Sequence, residues 1–268
     1  MTKHLKNIVK IDQLEGGILR LILNDLKNKN ALSEQMMKEL LDHIFNASSN
    51  NSIRVIIISA VGDVFCSGHN LKEITDARNN EDEGKEYFSN LFNLCSSLMQ
   101  IIATCSKPVI AEINGVATAA GCQLVASCDL AIASDSSKFA TPGVNIGLFC
   151  STPMVALSRS ISKKDSMRML LTGDMIDSVE AKRISLINDH VPGENLHRAV
   201  MSIANKIAGK SLATVKLGKE AFYRQYEMSL SEAYDYTSTV MAENSLADDA
   251  REGIAAFLEK RDPVWKDN

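Results

Sequence analysis

The sequence has no long apolar run, no basic patch, no paired-cysteine motif and no zinc-type histidine spacing. No stretch approaches the ~18 consecutive apolar residues that a bilayer-spanning helix needs, so no membrane role is expected. Lysine and arginine number 29 against 33 aspartates and glutamates, for a net charge of −4. The densest basic clusters are the pairs Lys163-Lys164 and Lys260-Arg261. Such a chain lacks the electrostatic footprint of a nucleic-acid or anionic-membrane binder. The six cysteines (66, 95, 105, 122, 128, 150) form no CxxC pair, and the five histidines (4, 43, 69, 190, 197) form no HExxH. Buried free thiols in a reducing compartment are therefore expected, and a metal site is not. The start, MTKHLKNIVKIDQLEGG, has neither an apolar signal core nor an Arg/Ser-rich leader, which reads as a cytoplasmic protein.

What the chain does have is ordinary globular composition, 45% hydrophobic and 23% charged over 268 residues. That suits one large domain with an appendage. Two alternating segments, 7–14 and 18–24, flank Gly16-Gly17 and predict a β-hairpin. Residues 33–46 place Met36, Met37, Leu40, Leu41 and Ile44 at helical spacing, with Ser33 as N-cap. Arg54–Ala60 is a continuous apolar run, as in a strand covered on both faces. A loop, a helix over 87–103, a buried strand over 108–115, a helix through Leu124 and a strand over 130–133 follow. This alternation predicts an α/β domain of ββα or βαβ units over residues 1–200. Helical patterns dominate after about 151, and residues 201–268 read as a helical C-terminal region.

Two turns carry the chemistry. In FCSGHNLKEI (65–74) and NGVATAAGCQL (114–124), small residues follow buried strands. Small residues there serve either tight helix–strand packing or close approach of a ligand to backbone N–H groups. Two such turns at one end of neighbouring strands could aim two N–H groups at one point, as an oxyanion hole requires.

With NKNALS (28–33), FATPGVNIGL (139–148), LTGDMIDSVEAK (171–182) and GIAAFLEKRDPVW (253–265) in order, the chain resembles the enoyl-CoA hydratase/isomerase (crotonase) family along nearly its whole length. The wording of ATAAGCQL, FATPGVN and GLFCSTP narrows the resemblance to one subgroup. The resemblance implies a ClpP-like spiral of ββα turns with a C-terminal trimerisation region. It also implies a homotrimer or a hexamer built as a dimer of trimers, and an acyl-CoA thioester site. Coenzyme A enters as part of the substrate, with no separate cofactor. The enolate oxygen would be held by the N–H groups of Ser67 and Ala120, with Gly68, His69, Gly121 and Asn145 near the substrate. Lys72 matches a position near the CoA phosphates and equally suits a solvated loop lysine.

One departure matters for the reaction. Hydratases of this family use two glutamates, and Gln123 and Gly143 stand at those places. Hydration needs one group to take a proton from water and one to deliver a proton to Cα, and an amide does neither near neutral pH. His69 is a possible substitute base or a plain loop histidine. Glu112 and Asp129 read as structural, and Ser151 and Thr152 as helix caps. Two functions remain open: an acyl-CoA enzyme with weak or altered acid–base chemistry, and a non-catalytic acyl-CoA binder or assembly partner.

Overall fold

The computed structural model describes residues 7–267; residues 1–6, His4 among them, and 268 lie outside the described residues. The expected hairpin is β1 (Val9–Leu14) paired antiparallel with β2 (Ile18–Leu23). Gly16 and Gly17 turn it with φ of 75° and 74°, a backbone region that favours glycine. Helix α1 (Glu34–Ser49) begins where Ser33 Oγ accepts from Met36 N–H at 3.2 Å.

A strand–strand–helix unit then repeats three times. β3 (Val55–Ala60) and β4 (Val64–Cys66) lead into α2 (Leu71–Ala77) and α3 (Lys85–Thr104). β5 (Val109–Ile113) and β6 (Val116–Thr118) lead into α4 (Ala120–Ser127). β7 (Leu130–Ser134) and β8 (Lys138–Ala140) lead through a 3-10 turn at Pro142–Ile146 into α5 (Pro153–Ser160) and α6 (Lys163–Thr172). There follow β9 (Ile176–Asp177), α7 (Ser178–Arg183), β10 (Asp189–Val191), α8 (Leu196–Ala208), α9 (Leu212–Gln225), α10 (Leu230–Leu246) and α11 (Asp248–Glu259).

The first strands of successive units stack in one sheet, ordered β1-β2-β3-β5-β7-β10, and the second strands in another, ordered β4-β6-β8-β9. Because β4, β6 and β8 run parallel as neighbours, the turns leaving them emerge at the same end. This is the expected spiral of ββα turns. The second sheet was not legible as strands: its members have two or three residues, too short for an alternation to register. The segment read as a loop after β4 also holds α2, which starts where Asn70 Oδ1 accepts from Lys72 N–H at 3.1 Å.

β3 is covered on both faces, as its composition required. Val55 and Ile57 pack with Leu196, Val200 and Ala204 of α8, while Ile56 and Ile58 join the core shared with α1, α3 and α4. Glu112 and Asp129 are structural. Glu112 pairs with Arg20 at 2.6 Å, and His197 Nδ1 lies 3.2 Å from its other oxygen. Asp129 holds α9 to the spiral: Lys219 Nζ donates to it at 2.6 Å and Tyr223 O–H at 2.8 Å. The cap expected from Thr152 is absent; its backbone is already helical and no side-chain bond closes the end. Pro153 starts α5 instead, with no N–H to satisfy.

Candidate functional site

The two small-residue turns meet. A Cβ on Gly68 would stand 2.9 Å from Ala119 Cβ, 3.1 Å from the Thr118 carbonyl and 3.4 Å from Ala120 N. A Cβ on Gly121 would run into the Cys66 carbonyl. Thr118 Oγ1 bridges the turns by donating to the Ser67 carbonyl at 3.1 Å. Glycine at 68 and 121 is thus a condition of the approach, and Gly68 also holds φ at 92°.

Which N–H groups remain for a ligand follows from their internal partners. Ser67 N–H donates to the Lys29 carbonyl at 3.3 Å. Gly68 N–H is directed at the Cys66 sulfur. His69 N–H has no partner among the described residues. On the facing turn, Ala119 N–H donates to the Ala140 carbonyl at 2.9 Å. Ala120 opens α4, so its N–H belongs to the first helical turn, where no intrahelical acceptor exists. The expected donor Ser67 is thus already engaged by the Lys29 carbonyl, and the N–H left without an acceptor on this turn is that of His69. Ala119 holds φ at 51°, ψ at −119°, a strained backbone for a residue with a Cβ. That conformation turns the start of α4 sharply out of β6.

Gln123 lies one turn into α4 and is buried, with Cys95 Sγ 3.7 Å from its Oε1. A cavity of about 690 Å³ reaches Gln123 between α3, the end of α4 and α9, past Met99, Ala103, Phe222 and Tyr226. Gly143 is buried in the 3-10 turn after β8, where a Cβ would stand 2.5 Å from the Leu148 carbonyl and 2.9 Å from Cys150 Sγ. Asn145 is exposed, and its Nδ2 lies against Gly173 at the end of α6. Lys72 is exposed in the first turn of α2.

The electrostatics are those of a site without carboxylates. Burial pushes the Cys66, Cys95 and Cys122 thiols up to about 12, so they stay protonated and inert. Burial also lowers His69 below the ordinary histidine value, opposed in part by the Leu32 carbonyl. No group of histidine, cysteine or acidic side chains among the described residues is arranged to hold a metal. All six cysteines are free thiols.

Comparison with known proteins gives one consistent result. The family model described as enoyl-CoA hydratase/isomerase matches residues 13–268. A Xenopus laevis protein, enoyl-CoA hydratase domain-containing protein 3, mitochondrial, is 50% identical over 98% of this chain and 88% of its own. The Homo sapiens protein of that name is 49% identical over 93% of this chain and 80% of its own. The crystal structure of the human domain-containing protein 3 superposes with a TM-score of 0.91, at 48% identity, covering 96% of this chain and 100% of its own. An enoyl-CoA hydratase structure from Bacillus anthracis does so with a TM-score of 0.91, at 27% identity, covering 97% of this chain and 100% of its own. The domain-containing protein 3 group is the subgroup whose wording this chain shares. These relatives are named as mitochondrial, which overturns the cytoplasmic expectation. Dispersed charge and free thiols fit any reducing compartment and do not separate one from another.

Proposed function

The chain belongs to the enoyl-CoA hydratase/isomerase family, and from that premise we propose that it binds acyl-CoA thioesters with the thioester oxygen in a hole formed by the His69 and Ala120 N–H groups. The observation that carries this reading is the meeting of two spiral turns that leave those two donors uncommitted. Negative charge grows on the thioester oxygen as an enolate forms, and preorganised donors lower its energy without reorganising. Losing one such donor typically costs about 10²–10³ in rate.

Hydration is weak or altered in this reading. Gln123 and Gly143 stand where the family's hydratases carry glutamates, and general acid–base help is worth about 10²–10⁴ per group. A second reading, a non-catalytic acyl-CoA binder or a partner of active homologues, is favoured by one feature. The space beside Gly143 is filled by the Leu148 carbonyl and the Cys150 thiol, so a side chain has no room there. Calorimetry with butyryl-CoA and a crotonyl-CoA hydration assay test both. Absence of binding at high micromolar concentration removes the thioester site. Turnover comparable to an ordinary hydratase removes the account of the missing glutamates.

Self-assembly as a trimer, or as a pair of trimers, belongs to the same proposal. Helix α10 buries none of its residues within the chain, leaving Leu230, Tyr234, Met241 and Leu246 more than half exposed. Phe257 and Leu258 of α11 are 83% and 74% exposed. An apolar face of that extent is a surface for association, and light scattering after size exclusion reads its stoichiometry.

A further inference from the structure

The missing carboxylates leave a question about proton transfer, and one side chain beside the hole is unaccounted for. His69 Nδ1 lies 3.2 Å from the Leu32 carbonyl. A carbonyl only accepts, so Nδ1 carries the proton and Nε2 is left with a bare lone pair. Nε2 is buried and has no hydrogen-bond partner among the described residues. Buried polar atoms nearly always have a partner, in the fold or as ordered water or ligand, so this acceptor is open to a group that enters the site.

Its surroundings point toward the site. The ring meets Phe92 of α3 edge-on, with centroids 5.5 Å apart. Cys95, three residues on and hence on the same face of α3, touches Gln123. One face of α3 thus backs both the His69 ring and the Gln123 side chain, one turn apart. The ring also hangs on the residue whose own N–H is a donor of the proposed hole. The candidate base and one donor of the proposed hole thus belong to the same residue.

We propose that His69 Nε2 is the proton acceptor of this site, removing a proton from the acyl Cα. This rests on the acyl-CoA reading above. The Cα proton moves to Nε2, and the C–H electron pair becomes the Cα–C1 double bond. The carbonyl π pair moves onto oxygen, where the His69 and Ala120 N–H groups hold it. The imidazolium then returns a proton to Cα, or to Cγ when the acyl group is a β,γ-enoyl chain. The first outcome exchanges hydrogen with solvent and the second shifts the double bond. Neither needs an oxidant, a reductant or a second carboxylate.

The other titratable groups around the ring are already engaged. Glu73 of α2 accepts from Asn70, from the Glu34 N–H at the start of α1 and from Tyr87 O–H of α3. Cys95 of α3 faces Gln123, and burial keeps the Cys66 thiol of β4 protonated. Burial alone lowers the imidazole, which keeps it neutral and ready at pH 7.

The test is the exchange of the Cα protons of butyryl-CoA in D₂O, followed by proton NMR, alongside butyryl-CoA calorimetry. Both are run on wild type, His69→Asn and His69→Gln. These changes keep the backbone N–H, and asparagine retains an amide donor for the Leu32 carbonyl. Wild type is expected to bind and exchange, with a rate that rises through one ionisation below pH 6.5 and then stays level. Both variants are expected to bind within about threefold of wild type and to exchange at least ~10²-fold more slowly. Exchange in His69→Asn at the wild-type rate overturns the proposal, as does a wild-type protein that binds butyryl-CoA without exchanging it. Should the variants lose their cooperative melts, the wild-type profile decides: an inflexion only above pH 7 overturns it. Failure of wild type to bind butyryl-CoA is a separate result, which removes the acyl-CoA reading and the base with it.

Discussion

The sulfur of Cys150 lies 2.9 Å from the point where a Cβ on Gly143 would stand, and the Leu148 carbonyl lies 2.5 Å from it. Both neighbours are fixed by a tight turn, since Leu148 N–H donates to the Gly143 carbonyl at 2.9 Å. Glycine at 143 is therefore a packing requirement as well as the loss of a carboxylate. The proton chemistry of this site cannot be rebuilt at that position without moving the 143–150 loop.

That relationship sets the first expectation. Gly143→Ala should destabilise the protein by about 1–3 kcal/mol, the usual cost of overpacking a filled interior. Gly143→Glu should cost more and add no hydratase activity. Adding Cys150→Gly should recover only part of the loss, because the Leu148 carbonyl remains. Urea melts of the four proteins measure this; a Gly143→Ala midpoint equal to wild type would contradict it.

Gln123→Glu is expected to behave differently, because the side chain already has its space. Burial disfavours the charged form, so the new carboxyl should titrate well above the ordinary glutamate range. The variant should then lose more stability at pH 8 than at pH 5. A carboxyl poised near neutrality is also a competent base. Crotonyl-CoA hydration should rise at least tenfold over wild type, read as absorbance loss of the enoyl thioester. No gain in rate would show that Gln123 does not face the substrate.

Much of the scaffold was legible in the sequence because its signals are local. Ser33 caps α1 through its own third neighbour, and the 3–4 spacing of Met36, Leu40 and Ile44 names the buried face. The apolar run of β3 required cover on both sides and has it. The second sheet escaped because Val64–Cys66 and Val116–Thr118 are too short to alternate visibly. The site was half legible for the same reason. Small residues marked both turns, yet the free donor depends on Lys29, a residue far along the chain that takes the Ser67 proton. Likewise Gly143 read only as an absence, since its filling by Cys150 is a tertiary contact.

The join between spiral and C-terminal helices should be costly to break. Lys219 is 7% exposed, and its ammonium reaches Asp129 and the carbonyls of Ile102 and Lys107. Removing one partner of a buried pair leaves the other uncompensated, at about 3–5 kcal/mol. Lys219→Met should fall in that range by chemical denaturation. It should also loosen α9, seen as faster amide hydrogen exchange over 212–225. A change below ~1 kcal/mol would mean that Tyr223 and the Val109 N–H suffice for Asp129.

The stability of the protein should also depend on pH through His69, independently of any reaction. Burial holds the folded imidazole below its ordinary value of 6.5, so below that pH the unfolded chain binds a proton that the folded chain does not. Stability rises with pH wherever the unfolded state binds more protons. The contribution of His69 is thus fully present above about pH 6.5. It is lost progressively as pH falls through 6.5 toward the lower folded value, and it levels off beneath that. Removing the group should flatten this slope. His69→Gln should therefore differ from wild type in the change of unfolding free energy between pH 7.5 and 5.5, with the smaller loss in the variant. Paired urea titrations at those two pH values read the difference. Parallel losses would mean that the Nε2 lone pair meets solvent protons as easily in the folded protein as in the unfolded one, which a buried acceptor does not do.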